Sequence, residues 1–170
     1  MLVGVISDTH DDLRAVDRAA KVFKEKGVDI VLHLGDIVAP FTLARFKKNG
    51  IEKLIAVFGN NCGERLGLKR VADEHGYTIT EPPHVLEIAG MRILMLHGWG
   101  PTEHTRRLVE SFAKSGNYNI VLYGHTHLVD VRRINGTLIV NPGEACGCLT
   151  GKKTIAILNT KTLDVEIIEL

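Results

Sequence analysis

The chain has 170 residues, 45% of them hydrophobic, and a formal charge of +1. No apolar stretch approaches the ~20 residues needed to cross a bilayer, and the near-neutral charge excludes a general electrostatic pull toward nucleic acid or an anionic membrane. Residues 1–170 make most simply one domain, long enough to bury a core without staples. The basic doublets Lys47-Lys48, Arg106-Arg107, Arg132-Arg133 and Lys152-Lys153 are scattered and read as solvated surface. Three cysteines, Cys62, Cys146 and Cys148, show no CxxC spacing. That usage argues against a disulfide framework and for a reducing, cytoplasmic setting.

Along the chain, short apolar runs alternate with amphipathic stretches. Leu2 to Ile6 is strand-like and runs into Ser7-Asp8 without the basic region or cleavage site of a signal peptide. Leu13, Val16, Ala19, Ala20 and Phe23 then recur at helical spacing up to Gly27. Ile30–Leu34 predicts a second strand, Phe41–Lys47 a short helix, Leu54–Phe58 a third strand, and Leu66–Glu74 a helix closed by Gly76. Such strand-helix repetition implies right-handed crossovers and parallel strands. After Pro82-Pro83 come Val85–Ile88 and Arg92–Leu96, a hairpin around Ala89-Gly90, then a helix from about Glu103 to Lys114. The remainder is mostly strand: Ile120–Tyr123, Val129–Ile134, Thr137–Val140, Thr154–Leu158 and Val165–Leu170, with Asn135-Gly136 a strong hairpin signal. The expected architecture is α/β, with two mixed sheets packed face to face and helices outside.

Polar clusters sit where these strands end. Asp8-Thr9-His10 follows the first strand, Gly35-Asp36 the second and Gly59-Asn60-Asn61 the third. His97 follows Ile93–Leu96, and Gly124-His125-Thr126-His127 follows Ile120–Tyr123. In doubly wound sheets functional groups gather beyond the carboxyl ends of strands. Taken singly, DxH, GD and GN are ordinary turn signals; their ordered conjunction points to metal. The candidate ligands are Asp8, His10, Asp36, Asn60, His97, His125 and His127. With Asp36 bridging through its two oxygens they supply four positions to each of two metals. Carboxylate, amide and imidazole together suit Mn²⁺, Ni²⁺, Fe²⁺, Co²⁺ or Zn²⁺ and are too rich in nitrogen for Mg²⁺ or Ca²⁺. Two such ions ~3.5–4 Å apart can generate a bridging hydroxide and clamp phosphoryl oxygens, which is phosphoester hydrolysis. The ligands fall on both sides of Pro82-Pro83, so that pair is not a domain boundary.

The order D-x-H, GD, GN, H, GH-x-H resembles the signature of the calcineurin-like metallophosphoesterase superfamily. The length and the Gly-Asn-Asn form of the third block resemble the small YfcE-like phosphodiesterases, whose fold the retromer cargo-sorting subunit shares. The resemblance runs from Val3 to Gly143, including Asn141-Pro142-Gly143. It implies a four-layer αββα sandwich of two mixed β-sheets flanked by helices. It also implies one metal on Asp8, His10, Asp36 and His127 and the other on Asp36, Asn60, His97 and His125. The implied activity is a binuclear, metal-dependent phosphodiesterase, Mn²⁺ first among the metals, acting on a small phosphodiester. No membrane or nucleic-acid partner is implied, and a homo-oligomer is allowed. The alternatives are a non-catalytic scaffold of the retromer-subunit type, disfavoured because no ligand position is lost, and a phosphomonoesterase or nucleotide pyrophosphatase.

Many superfamily members write the third block GNH, whose histidine is placed to protonate the leaving group. Asn61 stands there instead. An amide can hydrogen-bond a phosphoryl oxygen but supplies no proton at neutral pH, so modest hydrolysis favouring good leaving groups is expected. His104, at a helix start, is an alternative acid. Cys62 and Glu144 replace the Asp and Ser of small family members; Cys62 reads as a buried thiol, and Glu144 as either a loop carboxylate or a residue tuning access to the metals. Trp99 either walls the substrate mouth or packs in the core. His33 reads as a packing or orienting residue, and His75 and His84 as exposed.

Overall fold

The computed structural model describes residues 1–170. Its first half alternates β1 (Leu2–Ile6), α1 (Leu13–Glu25), β2 (Ile30–His33), α2 (Phe41–Lys48), β3 (Leu54–Val57), α3 (Arg65–His75) and β4 (Thr78–Thr80). β5 (His84–Ile88), β6 (Met91–Met95), α4 (Thr102–Lys114), β7 (Ile120–Leu122), β8 (Val129–Ile134), β9 (Thr137–Pro142), β10 (Thr154–Asn159) and β11 (Val165–Glu169) follow. Local chemistry sets the helix ends. The Asp12 carboxylate accepts from the amides of Arg14 and Ala15 at 3.1 and 3.0 Å and caps α1. Gly76, in the left-handed region, closes α3.

The strands form two mixed sheets. One is six-stranded, in the order β11-β10-β1-β2-β3-β4; the other is five-stranded, β5-β6-β7-β9-β8. β1 to β4 run parallel, as do β6, β7 and β9, while β10, β11, β5 and β8 are antiparallel additions. The six-stranded sheet draws on both sides of Pro82-Pro83, because β10 returns to pair with β1 in the register Val3↔Leu158.

Alternation along the parallel strands builds three cores. Val3, Val5 and Leu32 of one sheet pack between the layers with Ile93, Met95, Ile120 and Leu122 of the other. The opposite face of the first sheet, with Ile6 and Val31, meets Phe23 of α1, Phe46 of α2 and Leu68 of α3. The opposite face of the second, with Leu94, Val121 and Ile139, meets Val109 and Ala113 of α4. Both faces of each parallel stretch are therefore buried, which explains why its sequence reads as a continuous apolar run. The four-layer αββα order matches expectation.

Three details depart from the sequence reading. β4 was not anticipated: Tyr77 and Ile79 are buried while Thr78 is exposed, but three residues give too short an alternation to stand out. β9 runs on to Pro142 and brings Asn141-Pro142-Gly143 to a strand end. Cys146 and Cys148 form a disulfide across one intervening residue, and only Cys62 stays free. The bridge is local and joins no two elements, so the odd cysteine count excluded a framework but not this pair.

Candidate metal centre

The five polar clusters lie beyond the carboxyl ends of β1, β2, β3, β6 and β7. Backbone bonds stitch the loops together. The Asp8 amide donates to Gly35 O at 3.1 Å, the His10 amide to Asp36 O at 3.0 Å, and the Gly124 amide to His97 O at 2.9 Å. Asp8, His10, Asp36, His125 and His127 all have positive φ, between 42° and 67°. Non-glycine residues adopt that conformation at a cost, and the cost gathers where side chains must be aimed. Gly59 is required for a simpler reason: a Cβ there would strike the backbone nitrogen and Oδ1 of Asp36.

All seven sequence-predicted ligands are brought together. One nitrogen or oxygen each from Asp8, His10, Asp36 and His127 lie within 4.8 Å of one another. His10 Nε2 is 3.4 Å from Asp36 Oδ2, and His127 Nε2 is 3.3 Å from Asp8 Oδ1. On the other side of Asp36, His97 Nε2 stands 3.3 Å from Oδ1 and 3.0 Å from Asn60 Oδ1. His125 Nδ1 approaches the same Asn60 oxygen at 2.9 Å. Asp36 thus faces both groups with a different oxygen.

The hydrogen bonds on the far side of each ring decide what the near side can do. His97 Nδ1–H donates to Leu34 O at 2.8 Å, His125 Nε2–H to Gly100 O at 2.7 Å, and His127 Nδ1–H to Glu144 Oε2 at 2.6 Å. In a neutral imidazole the other nitrogen is then a lone pair. Those lone pairs point at Asn60 Oδ1, Asp36 Oδ1 and Asp8 Oδ1, an amide oxygen and two carboxyl oxygens that are acceptors when ionised. Electron-rich atoms facing one another need a cation between them. Asp8 Oδ1 and His10 Nε2 are also buried with no hydrogen-bond partner. This donor set is chemically suited to divalent cations, and three of its four imidazoles, His97, His125 and His127, are already turned for one.

The charge balance points the same way. Burial works to raise the Asp36 carboxyl, but the facing His97 ring and the hydrogen bonds from Asn61 outweigh it and hold it below the usual carboxylate range. Burial raises Asp8. Burial alone would lower His97, yet Asp36 and Asp8 raise its affinity for a proton. A corner that concentrates positive charge on a proton will concentrate it on a metal as well, and the two compete.

Asn61 is exposed and grips Asp36 twice, its backbone N–H on Oδ1 and its amide Nδ2 on Oδ2, both at 2.7 Å. His33 binds no candidate ligand side chain. It is buried, takes the Gly35 amide on Nδ1 and bonds Thr9 Oγ1, and burial pushes its pKa down to about 3, so it is a neutral strut beneath two loops. Cys62 is a buried thiol that accepts from the Gly59 and Ile37 amides at 3.2 and 3.4 Å. His104 is exposed on the first turn of α4, its ring centroid 6.2 Å from that of Trp99. His75 and His84 are half-buried, not exposed as expected; His75 packs edge-on to Tyr77 at 6.1 Å. Trp99 is 75% exposed, which removes the core alternative.

Glu144 is the residue whose role the sequence left open. It follows β9, a sixth parallel-running strand end beside β7, and is fully buried. Burial works to raise its pKa, but the Thr150 hydroxyl, His127 and the amides of Thr150 and Leu149 hold it at about 2. It is a permanent carboxylate behind His127. A strand end set at Val140 hid it; one set at Pro142 would have placed it with the other clusters.

The calcineurin-like phosphoesterase superfamily domain matches residues 1–163. The chain belongs to that superfamily. It is 37% identical over 171 residues to phosphodiesterase MJ0936 of Methanocaldococcus jannaschii, covering 100% of this chain and 99% of the relative. A solved archaeal phosphodiesterase superposes with a TM-score of 0.90 at 36% identity over the whole of both chains. Vps29 from Chaetomium thermophilum superposes with a TM-score of 0.71 at 16% identity, over 99% of this chain and 96% of that one, and so shares the fold.

Proposed function

We propose that this superfamily member is a binuclear, metal-dependent phosphodiesterase that cleaves small phosphodiesters. The observation that carries the reading is the set of three anchored imidazoles whose free lone pairs face acceptor oxygens. One cation is assigned to Asp8, His10, Asp36 and His127, the other to Asp36, Asn60, His97 and His125, with Mn²⁺ the leading candidate and Ni²⁺, Fe²⁺, Co²⁺ and Zn²⁺ the alternatives. When bound, two such ions supply an activated water and neutralise phosphoryl oxygens.

The protein's own groups do the positioning. Leu34 O, Gly100 O and Glu144 fix the tautomers and planes of His97, His125 and His127. Asn61 holds Asp36 with one amide hydrogen and keeps a second for a phosphoryl oxygen. No residue beside the centre is placed to protonate a leaving oxygen: His104 lies on α4 against Trp99, and Asn61 cannot serve. Hydrolysis therefore favours esters whose alcohols leave as stable anions.

A scaffold of the Vps29 type would not need these ligands, and none of the seven is replaced here by a residue unable to bind metal. The six-stranded sheet and both cation positions use residues from either side of Pro82-Pro83, which supports a single domain over 1–170. A cytoplasmic setting is part of this reading and rests on the scarcity of cysteine alone, since the Cys146–Cys148 bridge argues the other way. The deciding experiment assays Mn²⁺-loaded protein on phosphomonoesters, cyclic nucleotides and aryl phosphodiesters, with Asp36→Ala and His127→Ala as controls. Aryl phosphodiesters are expected to be the best substrates and both variants to be inert; undiminished turnover in the variants overturns the reading.

A further inference from the structure

Beside the candidate centre the chain holds up an exposed indole. Trp99 sits two residues after His97, between Gly98 and Gly100. Its side chain is open to solvent while its backbone is clamped. The Trp99 amide donates to Thr105 Oγ1 at 2.9 Å, and that hydroxyl donates back to Trp99 O at 2.8 Å, with Thr105 itself fully buried. Both flanking glycines reach the candidate centre. A Cβ on Gly98 would lie 2.8 Å from the Cβ of His125, and Gly100 O accepts the His125 ring N–H. A mobile surface tryptophan needs none of this fixing.

The indole lines a groove of about 430 Å³ together with Pro82, Pro83, Leu96, Leu108 and Phe112, and Gly98, which packs beside His125, belongs to the same lining. The volume is in the range of small-ligand pockets. No charged side chain lines it, so it suits the uncharged part of a molecule whose phosphoryl group is at the cations.

Resting on the phosphodiesterase reading, we infer that this groove binds an aromatic leaving group of the substrate, with Trp99 stacking on its ring. Two independent features meet in that assignment. The groove is apolar with an indole in its lining, and the centre offers no proton donor, so the leaving oxygen must depart as a stable anion. An aryl oxide satisfies both. Water oxygen forms the new P–O bond as the P–O(aryl) bond breaks; the bonding pair leaves with the aryl oxide, and the protons of the water pass to solvent. A phosphomonoester and a phenol-type product remain.

The test uses two methyl phosphodiesters whose leaving groups match in acidity, one 4-chlorophenol and the other hexafluoroisopropanol. The Mn²⁺-loaded chain should prefer the aryl ester in kcat/KM by about tenfold, the order expected of one aromatic contact. Trp99→Ala should bring the ratio close to one, mainly through KM, and Trp99→Phe should restore it. Equal rates in the wild type, or a preference that survives Trp99→Ala, overturn the inference. A binding arm needs no turnover. As the only tryptophan in the chain, Trp99 alone reports in indole fluorescence, which phenyl phosphate should quench saturably and methyl phosphate should not. Specific quenching without hydrolysis of any diester would leave the aromatic site standing and sink the phosphodiesterase reading. Hydrolysis with no difference between the two phosphates would do the reverse.

Discussion

His127 and Glu144 are joined by the shortest of the bonds that anchor the candidate imidazoles, Nδ1–H to Oε2 at 2.6 Å. The carboxylate is itself bound by Thr150 and Leu149, so it cannot swing away with the ring. Glu144→Gln should keep the fold and raise the Mn²⁺ concentration for half-maximal activity by about 10–100-fold, the usual cost of losing such a partner. Glu144→Ala, which also strips an acceptor from the Leu149 and Thr150 amides, should lower stability by about 1–3 kcal/mol. Metal titration with parallel chemical unfolding checks both; an unchanged metal dependence in Glu144→Gln would show that the ring is oriented by something else.

Asn61 is where an acid is missing. Asn61→His should raise turnover of alkyl phosphodiesters relative to aryl ones, and general acid catalysis sets the scale at about 10²-fold or more. The readout is the ratio of kcat/KM values for a matched alkyl and aryl pair. Asn61→Ala should lower both alike, because Asp36 keeps the backbone N–H on Oδ1 but loses the amide on Oδ2.

His33 makes stability depend on acid. Its pKa is pushed from 6.5 down to about 3 by burial. Below pH 6.5 the unfolded chain takes up a proton there that the folded chain refuses, so stability is full above 6.5 and is lost as pH falls toward 3. The slope from this group approaches about 1.4 kcal/mol per pH unit. Denaturant titrations of wild type and His33→Gln between pH 7 and 5 should diverge in slope accordingly. Parallel curves would mean that the ring is protonated in place.

Removing the metals should cost stability without unfolding the sheets. Ions at 100 times their dissociation constant contribute about 2.7 kcal/mol per site, and for a chain of this size each kcal/mol moves Tm by about 2–4 °C. Chelation of both ions should therefore lower Tm by about 10–20 °C and leave far-ultraviolet dichroism intact. Asp36→Ala, whose partners on both sides are affected, should show little further response to chelator.

The strands that carry the candidate ligands were legible because each parallel run is apolar on both faces and stops at a polar cluster. Asp8, His10, Asp36, Asn60, His97, His125 and His127 could be found from that punctuation alone. What the sequence could not display is orientation. Nothing in the order of residues says that Leu34 O and Gly100 O lock His97 and His125, since those partners are backbone atoms brought close by folding. Glu144 was visible but unassigned, because its neighbour in space is 17 positions away. Trp99 was ambiguous because an apolar residue after a strand can turn inward or outward, and the glycines on either side, which settle it, gave no direction by themselves. The Cys146–Cys148 bridge was missed because counting cysteines tests long-range pairing better than a one-residue loop.

The return of β10 to the edge of β1 has a consequence for the order of folding. The loop holding Asp8 is fastened not only to Gly35 but also by the amides of Ala145 and Cys146, which donate to Ser7 O and Asp8 O just before β10 begins. Ala145 and Cys146 lie 138 positions after Ser7 and Asp8, so the loop of Asp8 and His10 cannot close until that later stretch has been made. A chain stopped before β10 would expose the edge of β1 and leave its earliest ligands unfastened. Contacts of such long sequence separation also slow folding. On the proposed metal reading, the Asp8 and His10 side would take its cation only after residues 145–146 have folded against it, although its own code comes 138 positions earlier.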